Sequence, residues 1–263
     1  MASPLTCLVP PEVPLINPPL KLALAQIQFP PILAINQPNS PVVAAFQEDL
    51  RKDYPHYQGE VGIALNDADA LVNASSVPRH VFRSDFGWNI YLTQNFVSLT
   101  TTCYRTREDF AEKVRRIAES TQKCLAPHHA IRLGIRFVDR IEGEAVKKID
   151  QYVTPTFLGP LAMLHTNTES MITRASLIPS ESEAKGMIIH WGYLPPNQPF
   201  EFQEVEPYPD TCWVLESDIQ SEKYENFDPA QITHDTMVLT GRTYAFFRYV
   251  FNDKFLISCG GKP

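Results

Sequence analysis

Apolar residues recur along this chain at two spacings, one typical of helices and one typical of strands. In 41–54 they return every three or four residues, with Ser40 placed to cap the first turn and Pro55 to end the segment, which predicts a helix. A capping-box motif at 106–109 predicts a second helix that ends before Pro127. Short apolar runs predict strands at 22–29, 60–65, 79–85, 88–92 and 96–104.

The second half of the chain repeats this order of elements, β-α-β(3–4)-α. Strands are predicted at 131–141, 169–177, 187–194 and 212–219. A short proline-interrupted helix is predicted at 152–164, and a long helix at 229–256, with an aromatic face that predicts burial, closes the chain. Similar segments, 25–29 and 133–137, open the two halves. The recurrence indicates an internal duplication of a β-α-β(3)-α unit, and the alternative is two unrelated halves with a common order.

This order of elements predicts an α+β fold in which a curved antiparallel sheet carries helices on one face. Residues 1–20 hold six prolines, which predicts an extended N-terminal arm. Residues 21–127 form the first predicted half, and residues 128–263 form the second. A chain of 263 residues is long enough to bury both halves in one compact domain.

The composition and charge indicate a soluble globular protein rather than a nucleic-acid binder or a membrane protein. Hydrophobic residues make up 44% and charged residues 20%, as in ordinary soluble globular proteins. The formal net charge of −7 argues against nucleic acid as a partner, because nucleic-acid binding proteins usually neutralise phosphates with a basic surface. No apolar run approaches the roughly 20 residues that span a bilayer, and the prolines of residues 1–20 preclude a secretory signal. We therefore expect a cytoplasmic protein that makes no membrane contact.

The sequence lacks the usual motifs of metal, cofactor or nucleophile chemistry. Its five cysteines are odd in number and widely spaced, with no C-x-x-C pair, so we expect reduced thiols. His128 and His129 are adjacent but have no third ligand at a suitable spacing, so we expect no metal site. Glycine loops that bind phosphate and the nucleophile motifs of hydrolases are missing, and no cofactor is predicted.

A resemblance to a known family rests on four segments. They are 25–33, 46–55, 96–99 with Tyr104, and 132–141. Together they resemble a sporadically distributed family of uncharacterised bacterial and archaeal proteins, over nearly the whole chain. That family usually has Asn where Asp139 stands and Leu-Asp-Ile-Asp at 215–218. The resemblance implies a shared fold and, from the patchy distribution, an accessory or defence-associated role, but it implies no activity, cofactor or catalytic residue.

Arginines recur on one face of the predicted strand 131–141. Arg132, Arg136 and Arg140 are four residues apart, which places successive guanidinium groups about 13 Å from one another on the same side of a strand. With Arg174 they could bind the phosphate or carboxylate of an anionic small molecule or nucleotide. The alternative is that each arginine pairs with acids of neighbouring strands across a solvated sheet face. The candidate acids are Asp85, Glu169, Glu216 and Asp218.

A histidine on a neighbouring predicted strand is the weak candidate for catalysis. His190 beside Glu216 or Asp218 could perform acid–base chemistry, as in a nuclease or hydrolase. The alternative is a structural histidine on a polar sheet face. A partner distance above about 10 Å would exclude acid–base work, because such groups must lie within hydrogen-bond reach or one water of each other.

These observations favour a non-enzymatic binding or assembly protein. We expect a protein partner or self-association, with the arm, the closing helix and the acidic proline-rich segment 195–209 as candidate contact surfaces. The same segment could instead be only a solvated connection. A binder of an anionic ligand is the first alternative function, and a nuclease or hydrolase is the second.

Overall fold

The predicted α+β class is confirmed by a computed structural model, which describes residues 8–63, 76–159, 170–177, 186–199, 204–222 and 226–263. Within these ranges nine strands form one open antiparallel sheet. The strands are β1 (Leu20–Gln28), β2 (His56–Ile63), β3 (Ser76–Arg83), β4 (Trp88–Leu92), β5 (Phe96–Thr101), β6 (Arg132–Ile141), β7 (Met171–Leu177), β8 (Gly186–Leu194) and β9 (Cys212–Glu222). The helices are α1 (Pro41–Leu50), α2 (Arg107–Leu125), α3 (Ile149–Tyr152), α4 (Pro229–Val250) and α5 (Asp253–Ser258).

The order of strands across the sheet is β2-β3-β4-β5-β1-β6-β9-β8-β7. The two strands that open the predicted halves, β1 and β6, are neighbours in the middle. From β1 outward the next strands are β5, β4 and β3, and from β6 outward they are β9, β8 and β7. This mirrored order is what a duplicated unit would produce, and the duplication itself stays a prediction.

The chain divides into two compact units. The first unit contains 1–23, 135–221 and 237–263, and the second unit contains 24–134 and 222–236. The chain passes from one unit to the other within β1, β6, β9 and α4. The units are therefore discontinuous in sequence, whereas the two predicted halves, 21–127 and 128–263, are continuous.

Helix caps in the second unit lie where the sequence predicts them. The Ser40 hydroxyl accepts a hydrogen bond from the backbone N–H of Val43 at the start of α1. The Thr106 hydroxyl accepts one from the N–H of Asp109 at the start of α2. These contacts satisfy N–H groups that have no partner within the helix. The predicted end of the first helix, at residue 54, was too late, because α1 ends at Leu50 and a turn follows.

The helical segment predicted at 152–164 begins earlier than predicted. A 3-10 helix at Gly143–Lys148 runs directly into α3, so helical structure starts before residue 152. Pro155 begins a further 3-10 helix, Pro155–Phe157, where its lack of an N–H costs no hydrogen bond. Residues 160–164, like Cys7 and Glu169, lie outside the described residues.

The closing helix is two helices, so the prediction of one continuous helix at 229–256 was wrong. Phe251 leaves the helix and pairs with Val153 in an isolated β-bridge. Asn252 is extended, and its side chain accepts a hydrogen bond from the N–H of Phe255 to cap α5. Asparagine favours caps over helix interiors because its side chain competes for backbone groups. The Asn252 amide also donates to the carbonyl of Gln151 at 2.7 Å, which holds the break in place.

The predicted burial of the aromatic face is confirmed. Phe251 is 1% exposed, and its ring lies 4.3 Å from the ring of Phe255, 4.9 Å from that of Phe247 and 5.7 Å from that of Trp213. These rings form the core of the first unit beside β9. Among the described residues, no helix is long and apolar enough to cross a membrane.

The N-terminal arm packs against the C-terminal end of the chain. The N–H of Val13 donates to the hydroxyl of Tyr244, and the N–H of Asn17 donates to the carbonyl of Cys259. A Cβ atom on Gly260 would lie 2.8 Å from Ile16, so the arm approaches this end closely because glycine leaves the space. The arm is therefore in contact with the rest of the first unit from Pro11 onward, where the Tyr244 hydroxyl donates to the Pro11 carbonyl.

Candidate functional site

Five of the seven predicted site residues lie together in the first unit. Four strands carry them, and these strands are neighbours in the sheet in the order β7, β8, β9, β6. Arg174 is paired in register with His190, and His190 with Glu216. Paired residues of antiparallel strands point to the same face, so these side chains share one face of the sheet. We name the five residues Arg136, Arg174, His190, Glu216 and Asp218 the polar row.

Arg136, at the β6 end of the polar row, is bound by two carboxylates. Its Nε and Nη2 donate to Oδ2 of Asp218 at 3.1 and 2.7 Å, and its Nη1 lies 3.2 Å from Oε1 of Glu216. The side chains of Glu216 and Asp218 are 13% and 11% exposed. Removing Arg136 would leave two poorly solvated like charges next to each other. The contacts of Arg136 therefore agree with the alternative interpretation of the sequence, in which arginines of this strand pair with acids of neighbouring strands.

His190 uses one ring nitrogen within the polar row and keeps the other available. Its Nδ1 lies 3.1 Å from Oε2 of Glu216. An ionised carboxylate only accepts hydrogen bonds, so Nδ1 carries a proton and donates, and the neutral ring has its lone pair on Nε2. The His190 side chain makes no other hydrogen bond with the residues that the structure describes. The predicted contact of His190 with a carboxylate is thus present, well within the 10 Å limit.

Arg174 is the exposed end of the polar row. It lies directly across from His190 in the β7–β8 ladder, where the Cβ atoms of opposed residues are about 5 Å apart. Within the described part of the chain Arg174 forms no ion pair. The guanidinium of Arg174 and Nε2 of His190 therefore offer unused hydrogen-bonding capacity at one place on the sheet.

Arg140 lies on β6 but is engaged separately from the polar row. Its Nε donates to Oε1 of Glu142 at 2.7 Å, and its Nη1 donates to the carbonyl of Glu206 at 2.6 Å. The guanidinium also lies over the ring of Tyr208, 5.5 Å from its centre. Arg140 thus holds the proline-rich segment 195–209 against the first unit, where Val205 is buried. Residues 200–203 of that segment lie outside the described residues.

Arg132 belongs to the second unit and is also engaged separately. Its side chain lies over Gly134, and a Cβ atom there would be 3.4 Å from Nη2 of Arg132. The three arginines of β6 thus have three different environments. The sequence predicted their common strand, and the alternative that each arginine pairs with neighbouring acids was kept, but the different environment of each arginine was not predicted.

The other candidates make local contacts. Asp85 lies 2.7 Å from Nε2 of His56, as an exposed pair in the second unit. The rings of His128 and His129 are 5.8 Å apart and edge-on. In the described ranges no group of three or more His, Cys, Asp or Glu residues could hold a metal ion. Cys103, Cys124, Cys212 and Cys259 are free thiols.

Sequence reasoning missed the environment of Asp139. Its side chain is 5% exposed on β6, and burial raises its pKa to about 7. A signal was present, because strict alternation places residue 139 on the apolar side of this strand with Leu133, Ile135 and Phe137.

Comparison with known proteins gives no match. No protein-family model, no curated protein and no solved structure matches the chain. The residues of this chain are therefore the basis for its function, and the resemblance described from the sequence stays a prediction.

Proposed function

We propose that this protein is a non-enzymatic binding protein that holds an anionic group between Arg174 and His190. The observation that supports the proposal is their direct cross-strand pairing at the exposed end of the polar row. The other residues of the polar row hold the His190 ring in position. Glu216 contacts the ring, and Arg136 neutralises part of the charge of Glu216 and Asp218. A phosphate or carboxylate accepts hydrogen bonds from the arginine fork, and it accepts one from the imidazole when the ring is protonated, so that Nε2 also donates while Nδ1 stays on Glu216.

Calorimetric titration with inorganic phosphate and with a nucleoside monophosphate tests this site. We expect saturable binding, weakened at least about tenfold by Arg174→Ala and by His190→Ala. Arg51→Ala is the matched control, because Arg51 is an exposed arginine on the second unit that pairs only locally with Glu48. Equal affinity in Arg174→Ala and wild type would refute the proposal, as would the absence of binding to any anion tested.

Hydrolysis is the second candidate function, and the Glu216–His190 contact is the observation that favours it. A carboxylate on Nδ1 and a free Nε2 are what a general base needs, and Arg174 could bind the charge of a substrate. Phosphodiester and carboxylester model substrates test this candidate. If the wild type turns over a substrate, and His190→Ala abolishes and Glu216→Gln reduces that turnover, the protein is a hydrolase and the non-enzymatic proposal is wrong. If the wild type shows no turnover above the level of His190→Ala, the function is binding.

Association with a protein partner or with a second copy belongs to the same proposal, together with a cytoplasmic location and an accessory role. Phe86, in the turn between β3 and β4, is a large apolar side chain that is 77% exposed, and it offers a position at which an apolar contact can be tested. Size-exclusion chromatography with light scattering tests self-association. We expect a species larger than a monomer that Phe86→Ser shifts toward the monomer, and a monomeric wild type at all concentrations would contradict it.

A further inference from the structure

A concave site separate from the polar row lies within the first unit. It has a volume of about 400 Å³, which is in the range of small-molecule sites. Pro18 and Pro19 of the arm form one side, the end of β6 with the following 3-10 helix forms another, and α5 contributes Phe255. None of the five residues of the polar row lines this pocket, so the two sites can be tested independently.

The charges that line the pocket are mostly paired with each other. Glu142 lies 3.0 Å from Nζ of Lys21 and 2.7 Å from Nε of Arg140, so its carboxylate forms ion pairs with both cations. Glu144 pairs with Lys147 outside the pocket at 2.6 Å. Lys148 also lines the pocket, and among the described residues it has no ion-pair partner. Lys148 is therefore the cation available to a ligand.

The rest of the wall is largely apolar. Phe255 is 2% exposed, and its ring lies 5.5 Å from the ring of Tyr152, which also lines the pocket. Pro19 is buried, and Ala145 adds a small side chain. A ligand that fills this volume would gain free energy mainly by removing apolar surface from water.

We infer that this pocket binds a small organic monoanion, with its carboxylate paired with Lys148 and its apolar body against Phe255 and Pro19. Lys21 and Arg140 both pair with Glu142, and Lys148 is the lining cation without an ion-pair partner among the described residues, so a ligand with one carboxylate matches the site better than a dianion. A pocket in which an apolar wall holds the body of the ligand and one charged group without an ion-pair partner fixes its orientation is a usual design of small-molecule sites. This inference goes beyond the proposed anion site at Arg174 and does not depend on it.

Titration of the full chain with benzoate and octanoate, followed by ligand-observed NMR and calorimetry, tests the inference. We expect saturable binding of both carboxylates, and at least about tenfold weaker binding of the uncharged amides benzamide and octanamide. Lys148→Ala should weaken carboxylate binding at least about tenfold and reduce the preference over the amides. Ala145→Phe, which fills the pocket, should abolish binding of acids and amides alike.

Two controls separate this site from others. Lys254→Ala removes an exposed lysine of α5 that does not line the pocket, and it should bind benzoate like wild type. The same titrations in the Arg174→Ala background, which lacks the anion site proposed at the polar row, should keep the benzoate binding that belongs to this pocket and its dependence on Lys148. Equal affinity for acid and amide, unchanged affinity in Lys148→Ala, or no saturable binding up to about 10 mM would each overturn the inference.

Discussion

The backbone of Gly192 on β8 lies so close to β7 that a Cβ atom at position 192 would be 1.8 Å from the carbonyl oxygen of Met171. Gly192 also has a φ of +138°, which residues with a side chain rarely adopt. In the described sheet β7 is the last strand and pairs with β8 alone. The position of Arg174, in the middle of β7, therefore depends on the missing side chain of Gly192.

Gly192→Ala should displace β7 and weaken phosphate binding about as much as Arg174→Ala does. It should also lower the free energy of unfolding by roughly 1–3 kcal/mol, the usual cost of a strained backbone position. Urea denaturation and calorimetric titration measure the two effects. Gly59→Ala is the control, because a Cβ atom there would meet only the Tyr57 hydroxyl at 3.5 Å. Wild-type phosphate affinity in Gly192→Ala would contradict the dependence of Arg174 on this contact.

Asp139 should make the folded protein less stable as the pH rises. Burial raises its pKa to about 7 from an ordinary value of 3.8, so between these values the unfolded chain ionises while the folded chain keeps the proton. Stability is therefore fully present below pH 3.8 and is lost as the pH rises through about 7. Asp139→Asn should be more stable than wild type at pH 8, by roughly 2–4 kcal/mol.

Urea denaturation from pH 4 to pH 8 measures this difference. The gain of Asp139→Asn over wild type should approach zero near the acidic end. Asp150→Asn, at an exposed carboxylate of α3, is the control and should show no comparable gain at high pH. A gain for Asp139→Asn that did not change with pH would show that its carboxyl is not protonated in the folded protein.

Asp49 should have the opposite dependence on pH. The Lys123 ammonium and the Arg116 guanidinium, 2.6 and 2.7 Å from its oxygens, lower its pKa from 3.8 to about 2. Its contribution to stability is present above pH 3.8 and is lost as the pH falls toward 2. Asp49→Asn should therefore lose roughly 1–2 kcal/mol at pH 7 and little at pH 2, as measured by urea denaturation. Asp53→Asn, at an exposed carboxylate, should leave the free energy of unfolding unchanged at both pH values. A loss for Asp49→Asn that persists at pH 2 would show that Asp49 is not the group that loses its ion pairs there.

Phe251→Ala should lower the free energy of unfolding by about 3–5 kcal/mol, the usual cost of a large cavity in a packed core. Phe251 is buried among Phe247, Phe255 and Trp213 and also pairs with Val153. Chemical denaturation measures the loss. Ile257→Ala, at a position 60% exposed, should cost far less. A loss below about 1 kcal/mol for Phe251→Ala would place the ring outside the core.

Much of the polar row could be predicted from the sequence because strands have a period of two. Alternation placed Arg136 on a polar face, and His190, Glu216 and Asp218 on strands that could adjoin it. The order of β7, β8, β9 and β6 in the sheet, and the register that sets Arg174 against His190, could not be predicted, because a shift of one residue would turn every side chain to the other face.

Features that depend on nearby residues could be predicted from the amino-acid sequence alone. Periodicity and groups a few residues apart explain the caps at Ser40 and Thr106. They also explain why β1 and β6 are strands and why the aromatic face of the closing helix is buried. Each of these features has its physical cause within one or two turns of helix or one strand, so no knowledge of distant contacts is needed.

Contacts between residues that are far apart in the chain could not be predicted from the sequence and are seen only in the folded protein. Asn252 breaks the closing helix by bonding Gln151, 101 residues away, and Arg136 is bound by Asp218, 82 residues away. The pocket beside Lys148 likewise needs the arm, β6 and α5 together. Side chains that could satisfy a buried polar group occur at many positions, and only the packing of the chain selects which of them come within hydrogen-bond distance.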